Sequence, residues 1–264
     1  MRVLVVTAVA AEAEAVVAGL SSATDPGRGG VPPEPEPWAG DAGPGGPRTL
    51  PGGYPLTRRD LPGLAVDVLV GGVGPAAAAA GTATALALAG PDRPYAAVVS
   101  AGIGGGFVER APVGSLVVAD RMVAADLGAQ DPAAPTGFRG VDELGFGRGE
   151  HRAPVDLSKA FAVALGVTPA PVVTVSTVTG TAERAAELAA RHPGVAAEAM
   201  EGFGVAEAAV GYGLPVVEVR AVSNAVGPRD RDAWRIGPAL AALTEGFRVL
   251  GPVLASWGEN HDRR

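Results

Sequence analysis

Two segments near the C-terminal end of the chain carry side chains that suit the binding of a sugar and a heterocyclic base. Glu201 follows Met200 at the start of a helix of small residues, and Asn224 stands at the end of an apolar strand. A carboxylate accepts hydrogen bonds from hydroxyl groups, whereas an amide both donates and accepts them. If the two ends meet in the fold, they can hold a sugar and a base side by side.

Two further carboxylates, Glu12 and Glu14, begin a helix shortly after the apolar segment 3–6. In parallel α/β sheets, ligands bind beyond the carboxyl ends of the strands, so both glutamates are expected near that rim. Acidic residues in a first helical turn also interact favourably with the helix dipole. The residues alone therefore leave a catalytic and a purely structural role open.

Glycine-rich turns follow several of the predicted strands. Residues 71–74 precede a long Ala-rich helix, residues 102–106 follow a strand, and Thr179-Gly180 precede another helix. A glycine turn at a helix N-terminus offers free backbone N–H groups to an anion or a sugar hydroxyl. The first turn is not a Walker loop, because no Gly-Lys-Ser/Thr sequence follows it. Glycines also serve tight turns that bind nothing.

The elements that must position these residues alternate along the chain. Strands are predicted at 3–6, 64–70, 95–99, 112–120 (with its leading turn), 171–177, 195–198 and 215–220, and helices at 11–17, 76–89, 156–165, 182–191, 202–211 and 238–255. This alternation predicts an α/β fold, a single three-layer αβα domain around a central, mostly parallel, mixed twisted sheet. Glu218 and Arg220 lie in the last strand. We expect them to be paired or at a sheet edge, because lone buried charges are costly.

Two stretches lack this regular pattern. Residues 21–63 are rich in Pro and Gly, with Trp38 as a large apolar anchor. Such a composition predicts an insertion or flexible loop within the domain, either a lid over the site or a passive surface loop. Residues 128–150 are predicted to form an irregular connection.

Composition excludes several classes of function. A net charge of −7 and the lack of a basic cluster argue against nucleic acid as a partner. The chain has no cysteine, and His151, His192 and His261 lack metal-ligand spacing, so neither a metal nor a cofactor is expected. We find no secretory signal and no apolar run near the roughly 20 residues that a membrane helix needs. The expectation is a cytoplasmic protein without a membrane partner.

Five segments form an ordered set across most of the chain: residues 5–8 with Glu12, 71–74, 100–105, 113–118, and Met200-Glu201 with 220–224. Together they resemble the purine nucleoside phosphorylase / methylthioadenosine nucleosidase superfamily. Within it, residues 197–202 and 223–230 look most like the futalosine hydrolases, which remove hypoxanthine from futalosine in menaquinone biosynthesis. The resemblance implies a nucleoside phosphorylase-like fold, hydrolysis of the N-glycosidic bond of a small nucleoside, no cofactor, and a homo-oligomer, either a dimer or a tetramer.

The resemblance also implies roles for single residues. Glu201 would bind the ribose hydroxyls, with Met200 against the ribose face. Glu12 would activate water, with Glu14 as the alternative base. The other substrate-binding positions are Gly74, Gly102, Thr179, Gly180, Glu198 and Asp230. Glu198 either supports Glu201 or is simply exposed, and Asp230 would help to close the base site.

Asn224 departs from the adenine-releasing nucleosidases, in which this position looks like an aspartate. A 6-oxopurine presents an acceptor at O6, which would repel a carboxylate but can accept from an amide. We therefore predict that Asn224 takes part in catalysis by holding the departing base, and that the base is hypoxanthine.

Three alternatives stay open from the sequence. A nucleosidase of the methylthioadenosine/S-adenosylhomocysteine type would release adenine instead. A phosphorylase needs cations for phosphate, and segments 71–74 and 99–106 carry none, although Arg58 or Arg121 could fold into the site. A non-catalytic nucleoside-binding protein would not need a poised base such as Glu12.

Overall fold

The fold was obtained as a computed structural model that describes residues 1–21, 48–90 and 94–261. Its strands are β1 Arg2–Thr7, β2 Arg48–Leu50, β3 Tyr54–Leu61, β4 Leu64–Val70, β5 Ala97–Gly106, β6 Leu116–Ala124, β7 Gly128–Gln130, β8 Phe138–Gly140, β9 Glu150–Arg152, β10 Ala170–Thr174, β11 Ala197–Ala199 and β12 Val216–Ala225. Its helices are α1 Ala10–Ser21, α2 Pro75–Ala89, α3 Val155–Leu165, α4 Ala182–Arg191, α5 Gly202–Gly211 and α6 Ile236–His261.

Within the described residues, ten of the strands form one mixed sheet in the order β11-β10-β6-β12-β5-β1-β4-β3-β2, with β9 paired to β6. Strands β4, β1, β5 and β12 run parallel to one another, whereas β12 and β6 are antiparallel. An additional antiparallel pairing joins β11 to β5. It closes β5, β12, β6, β10 and β11 into a ring. The expected mixed sheet is therefore confirmed, but its described pairings are parallel and antiparallel in equal number rather than mostly parallel, and half of the sheet closes on itself.

Helices cover both faces of the sheet. Helix α1 packs on α6, α3 also packs on α6, and α2 packs on α5. All six residues of β1 are buried, as expected for a parallel strand between two layers of helices. The α/β class with three layers is thus the observed architecture.

Several element bounds match the sequence prediction and others correct it. Strand 64–70 and helices 182–191 and 202–211 have the predicted bounds. The strand predicted over 95–99 continues to Gly106, so the second glycine cluster is part of β5 rather than a turn after it. Residues 128–150, predicted as irregular, contain the small hairpin of β7 and β8.

The predicted loop over 21–63 is wrong for its last third. Strands β2 and β3 extend the sheet there, with β3 antiparallel to β4. Arg58 in β3 pairs with the fully buried Asp67 of β4, a contact between strands that a composition count does not reveal. Residues 22–47, with Trp38 and the lid or surface loop predicted there, lie outside the described residues.

Most of helix α6 belongs to a stretch that is long and apolar enough for a membrane span, although no such stretch was expected from the sequence. By length and composition alone, the stretch Arg231–Gly258 passes that test, which corrects the expectation. In the fold, Leu243, Phe247 and Leu250 of α6 are fully buried in the core, and the Thr244 hydroxyl donates to the Ala15 carbonyl oxygen of α1 at 3.0 Å. The apolar face of α6 is therefore used in packing, as in the core helix of a globular domain.

Candidate active site

The candidate site is built around Arg220, which lies in β12 between β5 and β6 and is 1% exposed. Its Nε donates to Glu218 Oε1 at 2.8 Å, its Nη1 lies 3.1 Å from Glu201 Oε2, and its Nη2 donates to the Ser100 hydroxyl at 3.1 Å. Burial lowers the pKa of Arg220, but the charges of Glu218, Glu201 and Glu12 outweigh it, so the net shift is upward. A buried cation of this kind persists because carboxylates surround it.

Glu12 reaches the same place from the first turn of α1. The chain turns at Ala8 and Val9, whose N–H groups donate to Glu12 Oε2 at 2.9 and 3.3 Å. Glu12 Oε1 accepts from the Ile103 N–H of β5 at 2.8 Å, so the carboxylate ties the start of α1 to the middle of the sheet. Burial raises the pKa of Glu12, while Arg220 and the backbone donors oppose the rise.

Glu201 approaches from the residue before α5 and is 6% exposed. Its Oε1 accepts from the Gly74 N–H at 3.2 Å, and its Oε2 faces Arg220. Gly74 has a φ of +91°, a conformation that favours glycine. The first glycine turn therefore does offer an N–H group to an anion, as predicted, but that anion is the chain's own carboxylate.

Gly102 gives the cluster its space. A Cβ at this position would lie 2.6 Å from Glu12 Oε1 and 2.7 Å from Arg220 Nη1. Neither group can retreat easily, because both are held by further hydrogen bonds. The sequence placed Gly102 in the site, and the structure assigns it a steric role next to the two charged groups.

Asn224 is positioned by an irregularity in the pairing of β12 with β5. The register shifts between Val222 and Asn224, which sets Asn224 opposite Gly105. Such bulges re-aim a side chain at the end of a strand. The Asn224 amide nitrogen donates to the Ala225 carbonyl oxygen at 3.0 Å, and its Oδ1 accepts from the Ser223 hydroxyl at 2.8 Å. The side chain is half-buried, so it retains access to a ligand.

Glu198 and Thr179 form a second contact group beside β5. Glu198 Oε1 accepts from the Thr179 N–H at 2.9 Å, and its Oε2 accepts from the Thr179 hydroxyl. Burial raises the pKa of Glu198, and the Thr179 bonds oppose the rise. Glu198 thus neither supports Glu201 nor is exposed; it holds the turn before α4. Gly180 follows in that turn, and its carbonyl oxygen accepts from the Arg229 N–H at 3.3 Å.

Three further candidate positions lie outside both the charged cluster and the Glu198–Thr179 contact. Glu14 is exposed on α1, so between the two candidate bases only Glu12 faces Arg220. Asp230 is exposed and accepts from the Asp232 N–H at 3.1 Å, which caps a short 3₁₀ turn. Met200 is half-buried just after β11. The roles of Asp230 at the base and Met200 at the ribose stay predictions.

The arginines considered for phosphate binding are engaged elsewhere. Arg58 Nε lies 2.8 Å from Asp67 Oδ1, and Arg121 lies 3.5 Å from Glu150. Across the described part of the chain, no group of three or more His, Asp or Glu side chains is arranged to hold a metal ion.

Sequence reasoning missed that Arg220 is the centre of the site. It expected Arg220 and Glu218 to be paired or at an edge. The pairing is confirmed, and the edge alternative is wrong because β12 is interior. The signal was present: residues two apart in a strand share a face. Ser100 and the Ile103 N–H were also missed, since nothing in their residue types distinguishes them.

Comparisons with known proteins identify the family of the chain. The family model of the phosphorylase superfamily matches residues 3–243. The futalosine hydrolase of Streptomyces coelicolor is 58% identical over 217 residues, which cover 79% of this chain and 91% of that protein. The futalosine hydrolase of Acidothermus cellulolyticus is 40% identical over 259 residues, covering 96% and 91%.

Among solved structures, the 5'-methylthioadenosine/S-adenosylhomocysteine nucleosidase of Colwellia psychrerythraea in complex with adenine has a similar fold. It superimposes with a TM-score of 0.69 at 22% identity over 97% of this chain and 95% of that one. The chain belongs to the phosphorylase superfamily.

Proposed function

We propose that this protein hydrolyses the N-glycosidic bond of futalosine and releases hypoxanthine and dehypoxanthine futalosine. The observation that carries the reaction type is the buried Glu12 carboxylate, held beside Arg220 and Glu201 with one acceptor position unused. The substrate is supported by the 58% identity to the Streptomyces coelicolor futalosine hydrolase and by the amide at Asn224.

Glu12 is the general base in this proposal. Each carboxylate oxygen has about two acceptor positions. Oε2 uses both, on the N–H groups of Ala8 and Val9, whereas Oε1 uses one, on the Ile103 N–H. Oε1 therefore binds the attacking water and takes its proton. The upward shift of the Glu12 pKa makes the carboxylate a stronger base at neutral pH.

Glu201 binds the ribose. Its Oε1 accepts from the Gly74 N–H and its Oε2 forms an ion pair with Arg220, so each oxygen retains a position for a ribose hydroxyl. As the bond to the base breaks, positive charge develops on the sugar, and fixed negative groups nearby stabilise that charge. Glu12 and Glu201 both supply this charge from positions that the backbone holds fixed.

Asn224 binds the departing base. Its amide nitrogen has a second hydrogen for O6 of a 6-oxopurine, and its oxygen has a second acceptor position for the N7 proton of the leaving hypoxanthine. The nearby Ala225 carbonyl oxygen accepts from the amide nitrogen. An ionised aspartate at position 224 would place one of its oxygens against the Ala225 carbonyl oxygen, and both are acceptors. The local structure therefore favours an amide.

Water rather than phosphate is the expected nucleophile. The donor groups of Arg220 are directed to Glu218, Glu201 and Ser100, and Arg58 and Arg121 bind other acids. Binding of a phosphate dianion would have to compete with three carboxylates for one guanidinium. The same buried base distinguishes an enzyme from a protein that only binds nucleosides.

The wider assignments are part of the same proposal. The product would enter menaquinone biosynthesis, and the enzyme would act in the cytoplasm on a small nucleoside without nucleic acid or membrane as a partner. It would work as a homo-oligomer of single-domain subunits, each with its insertion after α1.

The direct test is to incubate the purified protein with futalosine, inosine and methylthioadenosine, each with and without phosphate, and to separate the free bases by chromatography. We expect hypoxanthine from futalosine at the same rate in both buffers, and an unphosphorylated sugar product. Release that requires phosphate would make the protein a phosphorylase. Preferential release of adenine from methylthioadenosine would refute the assigned base.

A further inference from the structure

Glu218 is a buried carboxylate for which the proposed chemistry has no direct use. It lies in β12, two residues before Arg220, and its side chain is fully buried. Its Oε1 accepts from Arg220 Nε at 2.8 Å. Its Oε2 is also buried, and the described residues provide it with no hydrogen-bond donor. A buried acceptor without a partner is costly, so its retention calls for a physical reason.

The other side of this carboxylate is covered by Gly202, the first residue of α5. A Cβ at Gly202 would lie 2.1 Å from Glu218 Oε2 and 2.3 Å from Oε1. The α5 backbone can therefore pass over Glu218 only as glycine. Gly202 directly follows Glu201, so Glu218 contacts both Arg220 and the chain that carries the ribose-binding carboxylate.

We propose that Glu218 is a positioning residue of the active site, which fixes the Arg220 guanidinium through Nε so that Nη1 meets Glu201 and Nη2 meets Ser100. Gly202 is the residue that leaves room for it. A guanidinium is a rigid plane, and two fixed nitrogens still allow rotation about the line that joins them, so the contact at Nε is needed to fix the plane. Without Glu218, Arg220 would keep its two outer contacts but would be free to tilt about them. This inference depends on the proposed function only because its test measures catalytic turnover.

The same arrangement sets the charge balance around Glu12. The ionisable groups facing one another are Glu12 from α1, Glu201 before α5, and Glu218 with Arg220 from β12. One cation is thus shared by three carboxylates. Removing the charge of Glu218 leaves Arg220 to two carboxylates, so its positive charge acts more strongly on Glu12 and lowers the pKa of that group.

The test is the Glu218→Gln variant, whose amide has the shape of the acid but carries no charge, so its bond to Arg220 Nε is weaker and holds the guanidinium less firmly. We expect kcat to fall about tenfold or more with a smaller change in KM. We also expect the acidic limb of the kcat profile to move about one pH unit lower, the usual effect of a nearby charge. Asp67→Asn is the matched control, because Asp67 is an equally buried carboxylate paired with Arg2 and Arg58. It should lower thermal stability without moving the pH profile.

A second pair of variants tests whether Gly202 is needed to leave room for Glu218. Gly202→Ala should push the Glu218 carboxylate away and reproduce the loss of kcat, whereas Gly211→Ala at the other end of α5 meets no atom within 4 Å and should be neutral. A Glu218→Gln enzyme with the wild-type kcat and pH profile would overturn the proposal. So would a loss of kcat with an unmoved profile, as in a purely structural role. The profiles are measured on whichever of futalosine, inosine and methylthioadenosine the wild type cleaves, so a wrong substrate assignment is detected separately in the wild type.

Discussion

Replacing Glu12 by glutamine should remove most turnover and also loosen the start of α1. Both oxygens of the carboxylate accept backbone N–H groups: Ile103 on one side, Ala8 and Val9 on the other. An amide has only one oxygen. In either orientation its NH₂ group faces a backbone donor, so at least one buried N–H group loses its partner.

The two effects have different sizes and different readouts. Loss of a general base lowers kcat by about 100- to 10,000-fold. An unsatisfied buried donor costs about 1–3 kcal/mol of unfolding free energy. Because a domain of this kind is stable by roughly 5–15 kcal/mol, the variant should remain folded. A domain of about 150–250 residues loses roughly 2–4 °C in Tm per kcal/mol, so a fall of several degrees is expected.

The assay combines three measurements on the same preparations. Futalosine turnover gives kcat, a thermal melt gives stability, and calorimetric titration with hypoxanthine shows whether the base site is intact. Glu14→Gln, two residues further along α1 and exposed, is the matched control and should behave as wild type. If Glu12→Gln retained more than about a tenth of kcat, or if Glu14→Gln lost as much, the assignment of the base would be wrong.

The pH profile adds a check on the same residue. Burial raises the pKa of Glu12 above the ordinary value of 4.5, with Arg220 opposing. A general base works only when ionised, so kcat should be full above the raised pKa and lost as the pH falls through it. The acidic limb should therefore lie above pH 4.5. The residual activity of Glu12→Gln should lack that limb.

Three further predictions concern the neighbours of this carboxylate. Gly102→Ala should abolish turnover, because its Cβ would lie 2.6 Å from Glu12 Oε1, whereas Gly211→Ala enters open space and should retain activity in the same assay. Glu201→Gln should lower kcat/KM roughly 10- to 150-fold, because its bonds to the ribose are weaker and each charged hydrogen bond contributes about 1.5–3 kcal/mol. An unchanged kcat/KM would contradict the ribose role. Asn224→Asp should shift the ratio of hypoxanthine to adenine release towards adenine by roughly 5- to 150-fold, because a mismatched polar pair costs about 1–3 kcal/mol. An unaltered ratio would count against base selection by the amide.

The order and type of most elements could be predicted because each is encoded locally. The apolar run of β4 and the capped start of α4 carry their own signals, and both have the predicted bounds. Strands β2 and β3 were missed because their support is not local. Arg58 becomes acceptable in a strand only when Asp67 of β4 lies beside it. That contact depends on how β3 pairs with β4, which the residue types do not indicate.

The candidate site was predictable in part for the same reason. Glu12 was expected near the carboxyl end of a strand and Glu201 at the start of a helix, and both face one guanidinium. The central position of Arg220 depends on β12 being interior to the sheet, which is a property of topology rather than of sequence. Glu198 was misjudged because its partner, Thr179, belongs to a turn whose path the sequence does not indicate.

The glycines beside the charged cluster explain why water fits this site better than phosphate does. Gly74 donates its N–H to Glu201. Gly102 leaves room for Glu12, and Gly202 leaves room for Glu218. Glycine-rich turns often receive the phosphate of a ligand, but here each of these three positions is next to a carboxylate of the chain itself. A phosphate dianion beside these glycines would meet the like charges of all three carboxylates. A neutral water molecule meets a base, and the positive charge that develops on the ribose meets two fixed anions.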